Sequence, residues 1–289
     1  MKQGSTPSTQ GSTRTYALLG HPVHHSLSPR MQNAAFRAAG IDASYVALDV
    51  PPGQLAGKLK QLHASGAQGL NITLPLKEEA FQLLHVATPA ASAAGTANTL
   101  RRTSRGWEGD ATDGAGFLAW IDGLGLRADR ARALVIGAGG AARSVAVALA
   151  ERGPAEIRLV NRTLAHAESV AAAARAVARG KRVTTAAWRG DDAGQGGPWD
   201  LIVRAVSAEE VSSEERRWWG GLAPKGVVLD LNYGARANAA REEAGRAGLR
   251  YEDGLALLLE QGALSFEFWT GKKAPREAMR GALEDAAGS

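Results

Sequence analysis

Two stretches carry residues whose types and spacing could do chemistry. In residues 69–80, GLNITLPLKEEA, an apolar strand-like start runs into Pro75 and then into one lysine, Lys77, followed by Glu78 and Glu79. A lysine just past a strand end stands where α/β proteins bind ligands, outside the carboxyl ends of their strands. There it can hydrogen-bond a reacting oxygen and carry a proton. The plainer alternative is an exposed first-turn lysine paired with Glu78 or Glu79. Asp113, in GDATDGAG, is the potential partner of Lys77, and a helix N-cap role is compatible with that. The second stretch is Gly137-Ala138-Gly139-Gly140-Ala141-Ala142, which follows the apolar residues 133–136 and opens a helix of small residues. In the dinucleotide fingerprint the first glycine makes the tight turn, the second lets backbone approach a pyrophosphate, and a third small residue allows close helix–strand packing. Gly137, Gly139 and Ala142 match those roles, and freed N–H groups at the new helix N-terminus hold phosphates.

A strand ending at Val160 comes next, at the spacing where an adenosine ribose is recognised. NAD-binding chains place Asp or Glu there, whereas this chain has Asn161-Arg162-Thr163. A carboxylate repels a 2′-phosphate and a guanidinium grips it, so Arg162 points to NADP over NAD unless it is only a solvated surface arginine. Metal is not expected: there is no cysteine, no HxH or HExxH spacing occurs, and His21, His24 and His25 share a loop without evident carboxylate partners.

The elements that must position these groups alternate. The pattern reads as strands at 16–20, 44–50 and 69–73 with helices at about 28–39 and 54–65. Ser28 is the expected N-cap, with Pro29 at the first helical position. A helix runs from Asp113 to about 124. A second block has strands at 133–136, 157–160, 182–186, 201–206 and 227–231, a helix at 164–179, a turn-rich surface loop at 189–200, and an apolar helix at 255–269 closing the chain. Alternation of this kind implies α/β architecture with mostly parallel sheets. The 289 residues suit two domains. We expect a substrate-binding catalytic domain at 15–113 plus 255–289, a Rossmann-type NADP-binding domain at 114–254, a cleft between them, and a disordered tail at 1–14, which is rich in Ser, Thr and Gly. The net charge of +5 comes from scattered basic residues, which fits small anions better than nucleic acid. No apolar run is long enough for a membrane span, and the expected location is the cytoplasm.

Together the motifs resemble the shikimate dehydrogenases across nearly the whole chain past residue 14. GHPVHHSLSP is similar to the family's substrate loop, NITLPLK and GTANTL to its substrate and lysine segments, TDG to its aspartate, GAGGAAR and NRT to its cofactor segments, and LNY and LLEQGALSFEFWTG to its closing segments. The resemblance implies reversible NADPH-dependent reduction of 3-dehydroshikimate to shikimate by a monomer or homodimer. Catalysis would fall to Lys77 and Asp113. Substrate binding would fall to Ser26, Ser28, Asn71, Thr73, Asn98, Tyr233 and Gln261. Cofactor binding would fall to Gly137, Ala138, Gly139, Gly140, Ala141, Asn161, Arg162, Thr163 and Gly254.

Three places depart from the family pattern: Ala111 where asparagine is usual, Arg204-Ala205-Val206 in place of Asn-Ala-Thr, and the absence of the usual proline and threonine after Tyr233. In the family's layout all three border the cleft. An arginine at 204 would then lie near the nicotinamide and disfavour its oxidised, positive form, unless its side chain turns outward into water. A quinate or aminoshikimate dehydrogenase is the enzyme alternative. A non-catalytic NADP-sensing module is another, but it would need neither Lys77 nor Asp113.

Overall fold

The computed structural model describes residues 13–189 and 195–287 as two six-stranded sheets joined by long helices. The first sheet contains β1 (Arg14–Gly20), β2 (Ala43–Asp49), β3 (Gly69–Ile72), β4 (Val86–Ala87), β5 (Thr99–Thr103) and β6 (Gly106–Asp110). Its order is β2-β1-β3-β5-β6-β4. Helices α1 (Ser28–Ala38), α2 (Leu55–Ala64), α3 (Lys77–Gln82) and α4 (Pro89–Ala94) connect these strands. β1 pairs in parallel with β2 and β3, but β3–β5 and β5–β6 are antiparallel, so this sheet is mixed.

The chain then enters α5 (Thr112–Gly123) and builds the second sheet from β7 (Arg132–Ile136), β8 (Glu156–Asn161), β9 (Arg182–Ala187), β10 (Trp199–Arg204), β11 (Leu222–Asp230) and β12 (Tyr251–Glu252). All of its pairs are parallel, in the order β12-β11-β10-β7-β8-β9. Successive connections leave the central β7 in opposite directions, which creates the switch point where such sheets bind nucleotides. Helices α6 (Gly140–Arg152), α7 (Leu164–Val177), α8 (Ser213–Trp219) and α9 (Asn238–Arg246) cover the two faces. The chain returns through α10 (Leu255–Thr270) and ends in α11 (Arg276–Ala287).

Alternation along the central strands divides the second core. Ala133, Val135, Leu201 and Val203 face α5, α6 and α7, while Leu134, Ile136 and Ile202 face Trp218 and Trp219 of α8. The first sheet closes around Tyr16, Met31 and Phe36 from the start of the chain and Phe266, Met279 and Leu283 from its end.

Several expectations need correction. Residues 1–12 of the expected tail lie outside the described residues, but Arg14 is already in β1, paired with Ala43, because the parallel ladder continues to that point. Ser28 is inside the first turn rather than the cap. Its backbone N–H and its hydroxyl instead engage Ser26 Oγ, each at 3.2 Å. Of the expected loop at 189–200, residues 190–194 lie outside the described residues, while Trp199 and Asp200 belong to β10, the indole wholly buried. β10 ends at Arg204, two residues early. The chain ends with α11 rather than α10, since α11 supplies Met279 and Leu283 to the first core.

Glycine sets how closely the connecting helices approach. A Cβ on Gly114 of α5 would lie 2.7 Å from the Ser144 carbonyl oxygen of α6, and one on Gly116 would lie 2.7 Å from the Gln261 backbone nitrogen of α10. Backbone cannot swing aside as a side-chain tip can. Gly116→Ala is therefore expected to lower stability by about 1–3 kcal/mol through overpacking, read as a lower urea midpoint, even though alanine is the better helix former.

Candidate active site

β3 ends at Ile72, and four residues later Leu76 is buried beneath the start of α3. Lys77 is the first residue of that helix, a position the helix dipole makes unfavourable for a cation and suitable for Glu78 and Glu79. Lys77 pairs with neither glutamate. Its Nζ donates to Asp113 Oδ2 at 2.5 Å, with side-chain exposures of only 13% and 9%. Asp113 lies in the first turn of α5, where its charge is favourable, but it is not the cap, because Ala111 holds that position without a side-chain hydrogen bond.

Thr112, the neighbour of Asp113, reaches the other way. Its backbone N–H donates to Asn98 Oδ1 at 2.6 Å, and Asn98 Nδ2 donates to Thr112 Oγ1 at 2.8 Å and to Gln261 Oε1 at 3.1 Å. Adjacent residues of one helical turn thus fix both the lysine and the amide. The buried Asn71 extends the network. Tyr45 donates to its Oδ1 at 2.8 Å, while its Nδ2 faces the Asn98 carbonyl, Thr99 Oγ1 and Ser265 Oγ at 3.0, 3.1 and 2.9 Å. Asn71 thereby spends its donors on protein groups.

Ser26 and Ser28 stand together at the start of α1. Burial pushes the Tyr233 phenol up, against the pull of hydrogen bonds with Ser26 and the Leu27 backbone, so Tyr233 is a neutral donor beside the serines. Burial also pushes Tyr45 well up, with Tyr233 adding to it. Thr73 is half-buried just past β3, its backbone N–H bonded to the Leu19 carbonyl at 2.8 Å. Tyr45, Thr99, Thr112 and Ser265 were missed from sequence. Ser265 alone left a signal, standing one helical turn beyond Gln261 on the same face.

The glycine turn meets this cluster directly. Gly137 has φ +111°, and a Cβ there would lie 2.4 Å from the Ala205 carbonyl oxygen at the end of β10. Gly139 faces open space and precedes α6 without a side-chain cap, leaving the first N–H groups of the helix available. A Cβ on Gly140 would press on Lys77 Cβ at 3.0 Å, so the stem of the lysine crosses the start of the phosphate-type helix. Ala138 and Ala141 complete the turn. The Gly137 N–H bonds the Val160 carbonyl at 2.8 Å, bringing the end of β8 alongside. There Asn161 Nδ2 bonds the Thr163 carbonyl at 3.0 Å, and Arg162 is exposed with no ion pair among the described residues. Unoccupied N–H groups, absent Cβ atoms and a free guanidinium fit a dinucleotide bearing an additional phosphate. Gly254 is required by packing, since a Cβ would lie 2.4 Å from the Leu231 carbonyl oxygen.

Other expectations are corrected. His21 does have a carboxylate partner, its Nδ1 lying 2.9 Å from Asp49 Oδ2, because parallel pairing brings the ends of β1 and β2 side by side. Among the described residues no group of three or more His, Cys, Asp or Glu could hold a metal ion. Arg204 faces neither a nicotinamide site nor water. It is wholly buried against α8, bonded to Glu215 and Asp230. Ala111 packs with Ala91 and Ala94, and the segment after Tyr233 forms a short 3-10 turn at Gly234–Ala237.

Known proteins share this fold and parts of its sequence. Residues 18–100 match the shikimate dehydrogenase substrate binding domain, residues 124–187 match shikimate / quinate 5-dehydrogenase, and residues 254–284 match the shikimate 5'-dehydrogenase C-terminal domain. The chain is 42% identical over 279 residues to the shikimate dehydrogenase (NADP(+)) of Anaeromyxobacter dehalogenans, covering 96% of this chain and 99% of that one. It superposes with a TM-score of 0.82 and 33% identity on the Thermus thermophilus shikimate 5-dehydrogenase in complex with shikimate, covering 96% of this chain and 100% of that one. A crystal structure of the same Thermus enzyme with NADP(H) and shikimate gives 0.80 and 34%, with coverages of 94% and 99%.

The free guanidinium past β8 makes a direct test. Arg162→Ala is expected to weaken NADP by about 1–3 kcal/mol and leave NAD almost unchanged, because only NADP offers the 2′-phosphate. Fluorescence titration of both cofactors checks it, and equal weakening of the two counts against the assignment.

Proposed function

Because the chain belongs to the shikimate dehydrogenase family, we propose that it catalyses the reversible NADPH-dependent reduction of 3-dehydroshikimate to shikimate, a step of aromatic amino-acid biosynthesis in the cytoplasm. The observation that carries this reading is the shielded Lys77–Asp113 pair resting on Gly140, which joins a proton carrier to the start of the cofactor helix. Residues 15–113 with 255–289 form the substrate side, and residues 114–254 form the cofactor side.

NADPH, when bound, supplies the hydride that makes the carbonyl carbon an alcohol carbon. It would be held by Gly137, Ala138, Gly139, Gly140 and Ala141, with Asn161, Arg162 and Thr163 at its adenosine end and Gly254 near the site where the chain returns. Lys77 donates a hydrogen bond to the carbonyl oxygen, stabilises the negative charge developing there, and delivers the proton that completes the hydroxyl. In the reverse direction the same nitrogen takes that proton back. Asp113 holds the ammonium in one orientation. The substrate is a small hydroxylated acid, and this side of the protein answers with neutral donors and acceptors. Ser26, Ser28 and Tyr233 receive the carboxylate end, while Asn71, Thr73, Asn98 and Gln261 meet the ring hydroxyls. Hydroxyls and amides suit this task because they discriminate by geometry, and a ligand lacking a matching hydroxyl leaves buried groups unpaired.

Assays following NADPH absorbance with 3-dehydroshikimate, shikimate and quinate test the activity, and turnover of quinate alone would overturn the substrate assignment. Lys77→Ala is expected to lower kcat by about 10²–10⁴-fold while substrate KM stays within a few-fold, the pattern for loss of a group used in the transition state. Near-wild-type turnover in that variant would remove Lys77 from its role.

A further inference from the structure

β10 buries Trp199, Leu201, Ile202 and Val203 and leaves Asp200 exposed near its start, yet it ends in an arginine with no exposed surface. Every nitrogen of the Arg204 guanidinium has a partner. Nε donates to Glu215 Oε1 at 2.9 Å and Nη1 to Asp230 Oδ2 at 3.1 Å, while Nη2 donates to the backbone carbonyls of Ala208 at 2.7 Å and Glu210 at 3.0 Å. Both carboxylates are themselves buried. Glu215 accepts the Ser212 backbone N–H through its other oxygen at 2.9 Å, as part of the capping box of α8. Burial pushes the Asp230 carboxyl up, and Arg204 acts against that push.

Asp230 is a hub. Its Oδ2 also accepts from the Tyr251 hydroxyl at 3.0 Å, and its Oδ1 accepts from the backbone N–H and Nδ2 of Asn232 at 3.0 and 2.9 Å. Asn232 Nδ2 in turn donates to the Val206 carbonyl at 2.8 Å, and the Asn232 carbonyl accepts the Gly254 N–H at 2.8 Å. One connected set of bonds thus holds two segments. The first is the strap at 205–211 that leaves β10, whose Ala205 carbonyl lies against Gly137 of the glycine turn. The second is the segment from Leu231 to Tyr233, which leads to the serines of the acid site.

Stability alone is a poor reason for this arrangement. Exchanging a buried ion cluster for apolar side chains of similar volume is often neutral or stabilising, and the surrounding layer of Trp218, Trp219, Ile202 and Val228 is apolar already. What an apolar residue in place of Arg204 cannot do is hold two carbonyls, those of Ala208 and Glu210, in a strap that belongs to no strand. We propose that Arg204 is a positioning residue for the reaction: through Ala208, Glu210 and the Asp230–Asn232 hub it fixes the strap that walls the glycine turn, and so sets cofactor affinity without touching either ligand. The proposal rests on the dehydrogenase reading given above.

The test compares Arg204→Met, Arg204→Lys, Asn232→Ala and Val228→Ala with wild type, at a temperature where urea curves show each protein folded. Val228→Ala removes packing from the same layer but no tether. NADPH Kd by fluorescence is expected to rise about tenfold in Arg204→Met, less in Arg204→Lys, and about threefold or more in Asn232→Ala, while Val228→Ala loses stability with Kd within about twofold of wild type. Amide hydrogen exchange in residues 205–211, measured without ligand, is expected to accelerate in the Arg204 and Asn232 variants only. An unchanged Kd in a folded Arg204→Met protein overturns the proposal, as does faster exchange in the strap with no effect on NADPH. Should Arg204→Met fail to fold, Asn232→Ala decides, since it frees the Val206 tether and takes one amide bond from Asp230 Oδ1 while leaving both ion pairs of Arg204 in place. If wild type shows no turnover with shikimate but binds NADPH, the dehydrogenase reading fails while the Kd and exchange comparison still judges the strap.

Discussion

The close packing of the first turns of α5 is the constraint from which the rest of the site follows. Gly114 admits the backbone of α6 and Gly116 admits that of α10, so three helices from different parts of the chain converge at the point where Asp113 leaves α5. Asp113 then needs only one well-placed cation, and Lys77 arrives from the first sheet across Gly140. Lysine, glycine turn and the amide of Gln261 are brought together by backbone proximity, which substitution tolerates poorly, rather than by flexible loops. Arg143 adds a tether of the same kind, its side chain donating to the Ala94 carbonyl at the C-terminus of α4 and to Ser169 Oγ at 2.9 Å. A cation at the negative end of a helix is favourably placed, so this link between the two halves is electrostatically consistent.

Polar order in the network around Asn71 and Asn98 is of a different kind. Tyr45, Asn71, Thr99, Ser265, Thr112, Asn98 and Gln261 form one hydrogen-bonded chain without a charge in it. Neutral groups cost less to bury than ions, and a network whose members are paired resists rearrangement. Charge stands beside this network in the shielded Lys77–Asp113 pair, and apart from it in the Arg204 cluster, where it is walled off.

Much of the α/β alternation was legible in the sequence because each parallel strand there is a short apolar run followed by glycine or a polar turn. The β5–β6 hairpin was not, since Leu100 and Trp107 are the large apolar anchors in a stretch otherwise charged or small, and no clear alternation results. α11 escaped for a similar reason: Met279 and Leu283 mark its buried stripe among alanines, glycine and charges. The local chemistry of Lys77 could be read from its position after a strand, and Asp113 could be named only as a potential partner, because it lies 36 residues away and no local rule links them. Resemblance to a known family pointed to the same pairing. Arg204 shows the limit most plainly. Its place in a strand was foreseen, but the face it occupies depends on carboxylates 11 and 26 residues further on, which nothing in the immediate sequence announces.

The first core draws on both ends of the chain, with Met31 and Phe36 packed against Phe266, Met279 and Leu283. This has a consequence for synthesis. When a ribosome has made residues 1–254, all six strands of the second sheet exist, as do the helices that cover it, apart from the late contribution of Leu257. The first sheet, although made earlier, still lacks the partner for the apolar face of α1. The half made first is therefore the later one to close, and an apolar surface around Phe36 and Tyr16 stays open until residues 255–287 emerge. A truncation near the C-terminus thus strikes the half of the protein encoded first.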